Sequence, residues 1–291
     1  MYAALFPGQG AQKMGMADAL IGTEAEQLLW AASEMVGQDL VELCQEGPEE
    51  RLQDTEISQP LIFAISYGIW SLKKATYGQP VCFLGHSLGE VTAMAAAEAF
   101  SFADGVQLAK RRASLMKAAY PENGGMLAVL GLEADVLQTV ARECRHRGWI
   151  EAANFNGPGQ IVLSGERTAL EMAASKASEA GARRCIMLDV SGPFHSKLMQ
   201  PAAAELAAWL QQMDIADPSR PVISNTSGRP LSDAAQLQQE LSEQLTAPVH
   251  WSTSIETAVA LGANELVEFS PHPVTSTFSK RIVKGIRANL A

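Results

Sequence analysis

The sequence predicts an α/β protein: a mostly parallel sheet flanked by helices, with a smaller βαββαβ unit inserted into it. Three observations carry that expectation. Short apolar runs alternate with longer helical stretches through most of the 291 residues. One run, Val81-Cys82-Phe83-Leu84, leads into Gly85-His86-Ser87-Leu88-Gly89-Glu90 and then into a helical stretch. That is a sharp strand-to-helix corner with a serine at its tip. Residues 125–190 follow their own rhythm of strand, helix, strand, strand, helix, strand. The expected division is 1–122 with 191–291 for the larger unit and 123–190 for the smaller.

Each element follows from its residues. Residues 2–6 are a short apolar strand, Pro7-Gly8-Gln9-Gly10-Ala11-Gln12 a loop, and a helix starts near residue 14. The glycines around Gln9 let backbone approach a ligand closely. Without a third glycine and a downstream acid, the pattern is no dinucleotide site. Ser58-Gln59-Pro60 opens a long helix, with Ser58 as its cap and Pro60 in its first turn. Gln59 there either faces a site or only extends the cap. The body, 61–72, is apolar nearly all round and is expected to be buried. A helix over 102–120 carries the apolar stripe Leu108, Leu115, Met116, Ala119. Arg112 falls on that stripe, whereas Lys110, Arg111 and Lys117 lie off it. A guanidinium on a buried face needs an anionic partner, either an internal carboxylate or one brought by a substrate.

In the smaller unit, strands are expected over 126–132, 150–155, 160–164 and 184–190, with helices over 134–146 and 169–180. This is the ferredoxin-like order, with Asn156-Gly157-Pro158-Gly159 as the turn between its middle strands. Ser191-Gly192-Pro193-Phe194-His195-Ser196 then breaks the chain and puts His195 at a strand-to-helix corner, where α/β sites form. The remainder alternates again: helix 197–213, strand 221–224, helices 234–245 and 252–261, strand 265–269, helix 274–283.

Composition narrows the function. With 47% hydrophobic and 19% charged residues, the chain can bury a large core. Twenty-two basic against 32 acidic residues give a net charge of −10 and no dense Lys/Arg run, which excludes a general nucleic-acid binder. Cys44, Cys82, Cys144 and Cys185 lack metal-ligand spacing, so neither a disulfide framework nor a metal site is expected. No apolar run is long enough to span a bilayer, and the N-terminus does not read as a signal peptide. The expected compartment is the cytoplasm.

A serine hydroxyl needs a base whose pKa lies near the working pH, and histidine is the usual choice. The chain offers His86, His146, His195, His250 and His272. His86 adjoins Ser87 on the corner and points away from it, and His146 sits in an exposed charged segment. His195 is best placed, while spacing leaves His250 and His272 open. An oxyanion would need two donors: the Leu88 N–H from the corner itself, and a second from the Gly8-Gln9-Gly10 loop.

Phe6-Pro7-Gly8-Gln9-Gly10, Ser58-Gln59-Pro60, Gly85-His86-Ser87-Leu88-Gly89-Glu90, Arg112, Asn154-Phe155-Asn156-Gly157-Pro158-Gly159-Gln160, Phe194-His195-Ser196 and Pro248-Val249-His250-Trp251 occur in one order. In that order they resemble malonyl-CoA:acyl-carrier-protein transacylases over essentially the whole chain. The resemblance implies an α/β-hydrolase-like large domain with an inserted ferredoxin-like subdomain. It implies Ser87 as the acyl-carrying nucleophile, His195 as base, the Gln9 and Leu88 N–H groups as oxyanion hole, and the Gln244 carbonyl orienting His195. Arg112 would pair with the malonyl carboxylate; Gln59, His86, Phe194 and Asn156 would complete substrate binding. The implied reaction is ping-pong, from malonyl-CoA to a phosphopantetheine thiol on an acyl carrier protein, with no metal or further cofactor. Phe194 stands where fatty-acid-synthesis members usually carry Ser, and Phe-His-Ser resembles the malonyl-selecting acyltransferases of polyketide assembly lines. An acyl hydrolase editing carrier-protein thioesters is the alternative, and Arg112 argues against it. Carrier proteins are typically acidic, as is this chain, so a local basic patch is expected among Lys110, Arg111, Lys117, Arg183, Arg184 and Lys197.

Overall fold

The computed structural model describes residues 1–120 and 122–291; Pro121, beside the expected junction at 122/123, lies outside the described residues. The strands are β1 (Tyr2–Phe6), β2 (Cys82–Gly85), β3 (Gly124–Leu130), β4 (Ile150–Gly157), β5 (Gln160–Glu166), β6 (Arg184–Met187), β7 (Val222–Ile223), β8 (Pro230–Leu231), β9 (Glu265–Glu268) and β10 (Arg287–Leu290). They form two sheets. The larger has the order β10-β9-β1-β2-β7-β8, parallel except for the β7–β8 pair. The smaller has the order β4-β5-β3-β6 and is antiparallel throughout, the ferredoxin-like arrangement. Both expected sheets are therefore present.

Every residue of β1 and β2 is buried, as parallel strands covered on both faces must be. The long helix Thr55–Tyr77 lies against that sheet, and Trp70 sets its ring edge-on to Phe269 and Phe83. A second core fills the space between the smaller sheet and its helices Ala134–Cys144 and Arg167–Glu179. The two units are stitched where Asn154 bridges to Val249: the Val249 N–H donates to the Ala153 carbonyl, and the Phe155 N–H to the Val249 carbonyl.

Several elements differ from expectation. No helix starts near residue 14. Gly15 and Gly22, both at φ 74°, confine the chain there to a short 3-10 turn, Met16–Ala19, and the first α-helix is Glu26–Val36. Ser58 is not the long helix's cap. Asp54 is, accepting the Glu56 N–H, so the helix begins earlier and Pro60 lies inside it. The strand expected over 184–190 stops at Met187: the Leu188 N–H still donates to the Met126 carbonyl of β3, and the chain then turns, the Val190 N–H donating back to the Leu188 carbonyl. His195 consequently sits on an irregular segment at φ 56°, not at a strand end. The helix expected over 197–213 divides into a 3-10 turn, Lys197–Met199, and Gln200–Leu210, and that over 274–283 shrinks to Thr275–Ser279. Edge strands β8 and β10 and the helices Leu40–Glu46 and Glu49–Leu52 add to the expected set.

Candidate active site

The site is built at the carboxyl end of the parallel sheet, where β2 turns into the helix Leu88–Ala96. Ser87 occupies the turn at φ 55°, ψ −110°, a conformation a non-glycine residue adopts only when its surroundings hold it. The flanking glycines are steric requirements. A Cβ on Gly85 would lie 1.9 Å from the Gly89 carbonyl carbon, and one on Gly89 would lie 2.2 Å from the Phe6 carbonyl oxygen. The helix thus docks onto β1 backbone to backbone.

Three of the expected side chains, Ser87, His195 and Arg112, converge on this corner. Ser87 Oγ lies 2.7 Å from His195 Nε2, and His195 Nδ1 lies 3.0 Å from the Gln244 carbonyl oxygen. A carbonyl only accepts, so Nδ1 carries the proton and Nε2 is left to accept the serine proton. Burial, and next the charge of Arg112, push the His195 pKa down to about 3. The imidazole is therefore neutral at neutral pH. Arg112 is 1% exposed. It donates to Gln59 Oε1 at 2.7 Å, to Gln244 Oε1 at 2.8 Å and to Ser87 Oγ at 3.0 Å, and its Nε has no acceptor among the described residues. Those oxygens are all neutral. The buried face called for an anionic partner, and no ion pair to Arg112 is present among the described residues. Its pKa is lowered to about 10 by burial, partly offset by Glu90.

A cavity of about 180 Å³ lies over Ser87, walled by Met116, Met126, Val162, Leu188, Phe194 and Phe278. Gln9 and Asn156 line it too. The Gln9 and Leu88 N–H groups have no acceptor among the described residues. His86 turns away from Ser87, as expected: its Nε2 lies 2.8 Å from Asn156 Oδ1, and its ring packs on Trp251. The other histidines are elsewhere. His250 stacks on Phe155, the His146 Nδ1 lies 2.8 Å from the Glu143 carbonyl, and His272 is not within reach of Ser87. A larger cleft of about 1000 Å³ lies between the Ala134–Cys144 helix and His250, but it contains none of the converging side chains. Among the described residues no group of His, Cys, Asp and Glu is placed to hold a metal ion, and no helix is long and apolar enough to cross a membrane.

Two residues at the site had been given no role by the sequence. Asn225, just beyond β7, accepts the Ser87 N–H at 2.8 Å and donates to the Gly85 carbonyl at 2.7 Å. Glu90, fully buried, accepts the Asn225 N–H at 2.8 Å and the Gln244 side-chain N–H. The available signals were weak: an acid inside the Gly85–Glu90 motif, and a polar residue after a strand in the same sheet.

The chain was compared with known proteins. Residues 4–289 match the family model described as acyl transferase domain. The chain belongs to this acyl transferase family. Among its relatives, the malonyl CoA-acyl carrier protein transacylase of Salmonella typhimurium is 37% identical over 99% of this chain and 94% of its own. The polyketide biosynthesis protein ThaF of Burkholderia thailandensis is 36% identical over 97% of this chain, which spans 24% of that larger protein. Among solved structures, a malonyl-transacylase in complex with its type II PKS acyl-carrier protein superposes with a TM-score of 0.95 at 36% identity, covering 100% of this chain and 95% of that one. The family's fold and this chain's agree throughout, smaller sheet included.

Proposed function

We propose that this acyltransferase carries a malonyl group from malonyl-CoA to the phosphopantetheine thiol of an acyl carrier protein, through an ester on Ser87. The observation that carries the reading is Arg112: a buried guanidinium, hydrogen-bonded among the described residues only to neutral oxygens, 3.0 Å from the serine oxygen. An acyl group on Ser87 that bears its own carboxylate supplies the missing anion, in bidentate geometry. A plain acyl chain leaves that charge buried and unpaired, which argues against the editing-hydrolase reading.

The steps balance. His195 Nε2 takes the Ser87 proton as Oγ attacks the thioester carbonyl, and the oxyanion settles between the Gln9 and Leu88 N–H groups. The intermediate collapses, the C–S bond breaks, and the same proton goes to the departing CoA sulfur. The carrier thiol then gives its proton to His195, attacks the ester, and Ser87 recovers its hydrogen. The Gln244 carbonyl holds the imidazole in one tautomer throughout. A thioester becomes an ester and then a thioester again, so the exchange is nearly balanced and calls for neither metal nor further cofactor. The narrow, largely apolar cavity limits the access of water to the ester. In this reading Gln59 steadies Arg112, the paired His86 and Asn156 form the polar wall beside the acyl thioester, and the Phe194 ring leaves little room for an α-methyl group. Such transfer serves polyketide or fatty acid synthesis, and the CoA thioesters it uses place it in the cytoplasm. We read residues 1–122 with 191–291 as the catalytic unit and 123–190 as a subdomain closing the cleft.

Intact-protein mass after brief mixing with malonyl-CoA, acetyl-CoA or methylmalonyl-CoA tests this. The expected result is a malonyl adduct on the native chain, none on Ser87→Ala, and transfer to added carrier protein. No malonyl adduct, with turnover of acetyl-loaded carrier protein, would replace the transacylase by the hydrolase.

A further inference from the structure

We propose that Glu90 is a positioning residue for acyl transfer: its buried carboxyl anchors the Asn225 main chain and sets the direction of the Gln244 side-chain amide, and these two residues hold the Ser87 backbone, Arg112 and, through the Gln244 main chain, His195. The inference rests on the transacylase reading for its substrate, but its geometry stands on the contacts themselves.

Glu90 lies in the first turn of the helix that follows the elbow, fully buried. An ionised side chain there meets the positive end of the helix dipole, yet among the described residues it forms no ion pair: its oxygens face amide donors. One accepts the Asn225 main-chain N–H, the other the Gln244 Nε2. Glu240 lies on its far side, itself accepting from Ser224 Oγ, Thr226 N and Thr226 Oγ1. Burial first, and the Glu240 carboxyl second, raise the Glu90 pKa well above the usual carboxylate range.

An amide side chain has two ends that differ only in donating or accepting. Gln244 Nε2 faces two acceptors, Glu90 and the Ser87 carbonyl at 3.0 Å, and this leaves Oε1 for Arg112 at 2.8 Å. Reversed, the amide would set N–H groups against the guanidinium. Asn225, anchored by its own N–H on Glu90, reads the other side of the elbow, taking the Ser87 N–H and giving to the Gly85 carbonyl. The strained serine thus has its N–H held by Asn225 and its C=O held by Gln244 and by the Glu90 main-chain N–H at 3.0 Å, and the two amide residues both lead back to one carboxyl.

The test is Glu90→Gln, which keeps the shape and turns one acceptor into a donor facing Gln244 Nε2. Two rates are read on protein shown folded by thermal melt: malonyl loading from malonyl-CoA, and labelling of Ser87 by a fluorophosphonate, which requires the serine–histidine pair but no malonyl group. At least a tenfold loss in both is expected. A merely structural Glu90 would lower the melting temperature and leave the labelling rate of folded protein unchanged, overturning the proposal. Should Glu90→Gln not fold, Gln244→Met removes the link while keeping the carbonyl on His195; wild-type labelling in that variant would equally overturn it. If native protein labels with fluorophosphonate but never loads malonyl, the substrate reading fails and the Glu90 comparison is still read.

Discussion

His195 joins the site's chemistry to the protein's stability. Its folded pKa is depressed to about 3 by burial and by Arg112, while the unfolded chain takes up a proton near the ordinary 6.5. Above 6.5 both states are neutral and His195 contributes no pH dependence. Below it the unfolded state binds a proton that the native state refuses, so stability falls as pH drops from 6.5 toward 3. Replacing His195 by Ala removes this slope and leaves Glu90 and every other titrating group in place. The stability difference between native chain and variant, measured by urea unfolding at several pH values, should move in the variant's favour by roughly 1.4 kcal/mol per pH unit below 6.5. A pH-independent difference would mean that the imidazole protonates in the folded state. Arg112 was legible because a charged residue on an apolar stripe is a local contradiction, visible within one helix. The roles of Glu90, Asn225 and the Gln244 side chain were not, because each depends on partners more than 130 positions away that meet only once the sheet has formed.

At the scale of elements, the elbow is a contact between two backbones. Gly89 is helical, so alanine there would gain about 1 kcal/mol of helix propensity. Its Cβ would also lie 2.2 Å from the Phe6 carbonyl oxygen and 2.8 Å from that of Pro7, atoms of β1 and the following loop that cannot rotate aside. The steric term wins: Gly89→Ala should destabilise the fold by about 3 kcal/mol, read as a lowered melting temperature, and displace the Gln9 loop. An unchanged melting temperature would show that helix and strand can part without loss. This strand-to-helix corner was readable because glycines flank the serine on both sides. The entry of the long helix was misread: Ser58 and Pro60 mimic a helix start, whereas Asp54, supported by Lys117 at 2.9 Å, is the residue that caps. The dipeptide strand β8 is too short to show any period, and β7, expected within 221–224, carries no local sign that Asn225 beyond it reaches Ser87.

Across the whole molecule, net charge poses the remaining question. A chain at −10 must receive an acidic carrier protein, so attraction has to be local. The structure divides the six expected cations. Lys117 is held by Asp54 and Glu56, Arg111 faces Glu205, and Lys110 donates to the Met35 carbonyl. Their charge is largely spent within the larger unit. Arg183 and Arg184 are exposed where the chain enters β6, the strand that leads to Leu188 and Val190 in the cavity wall. Lys197, also exposed, lies two positions beyond His195 and over the Trp149 ring of the smaller unit. None of these three is in an ion pair among the described residues. Reversing Lys197 to Glu, together with Arg183→Glu and Arg184→Glu, should raise the KM for carrier protein by roughly tenfold at low salt, and the gap should close as salt screens it. Malonyl loading from CoA should stay unchanged, because none of the three reaches Ser87. Loss of loading would place these residues on the CoA path instead, and no change in either rate would move the docking surface off this side of the cleft.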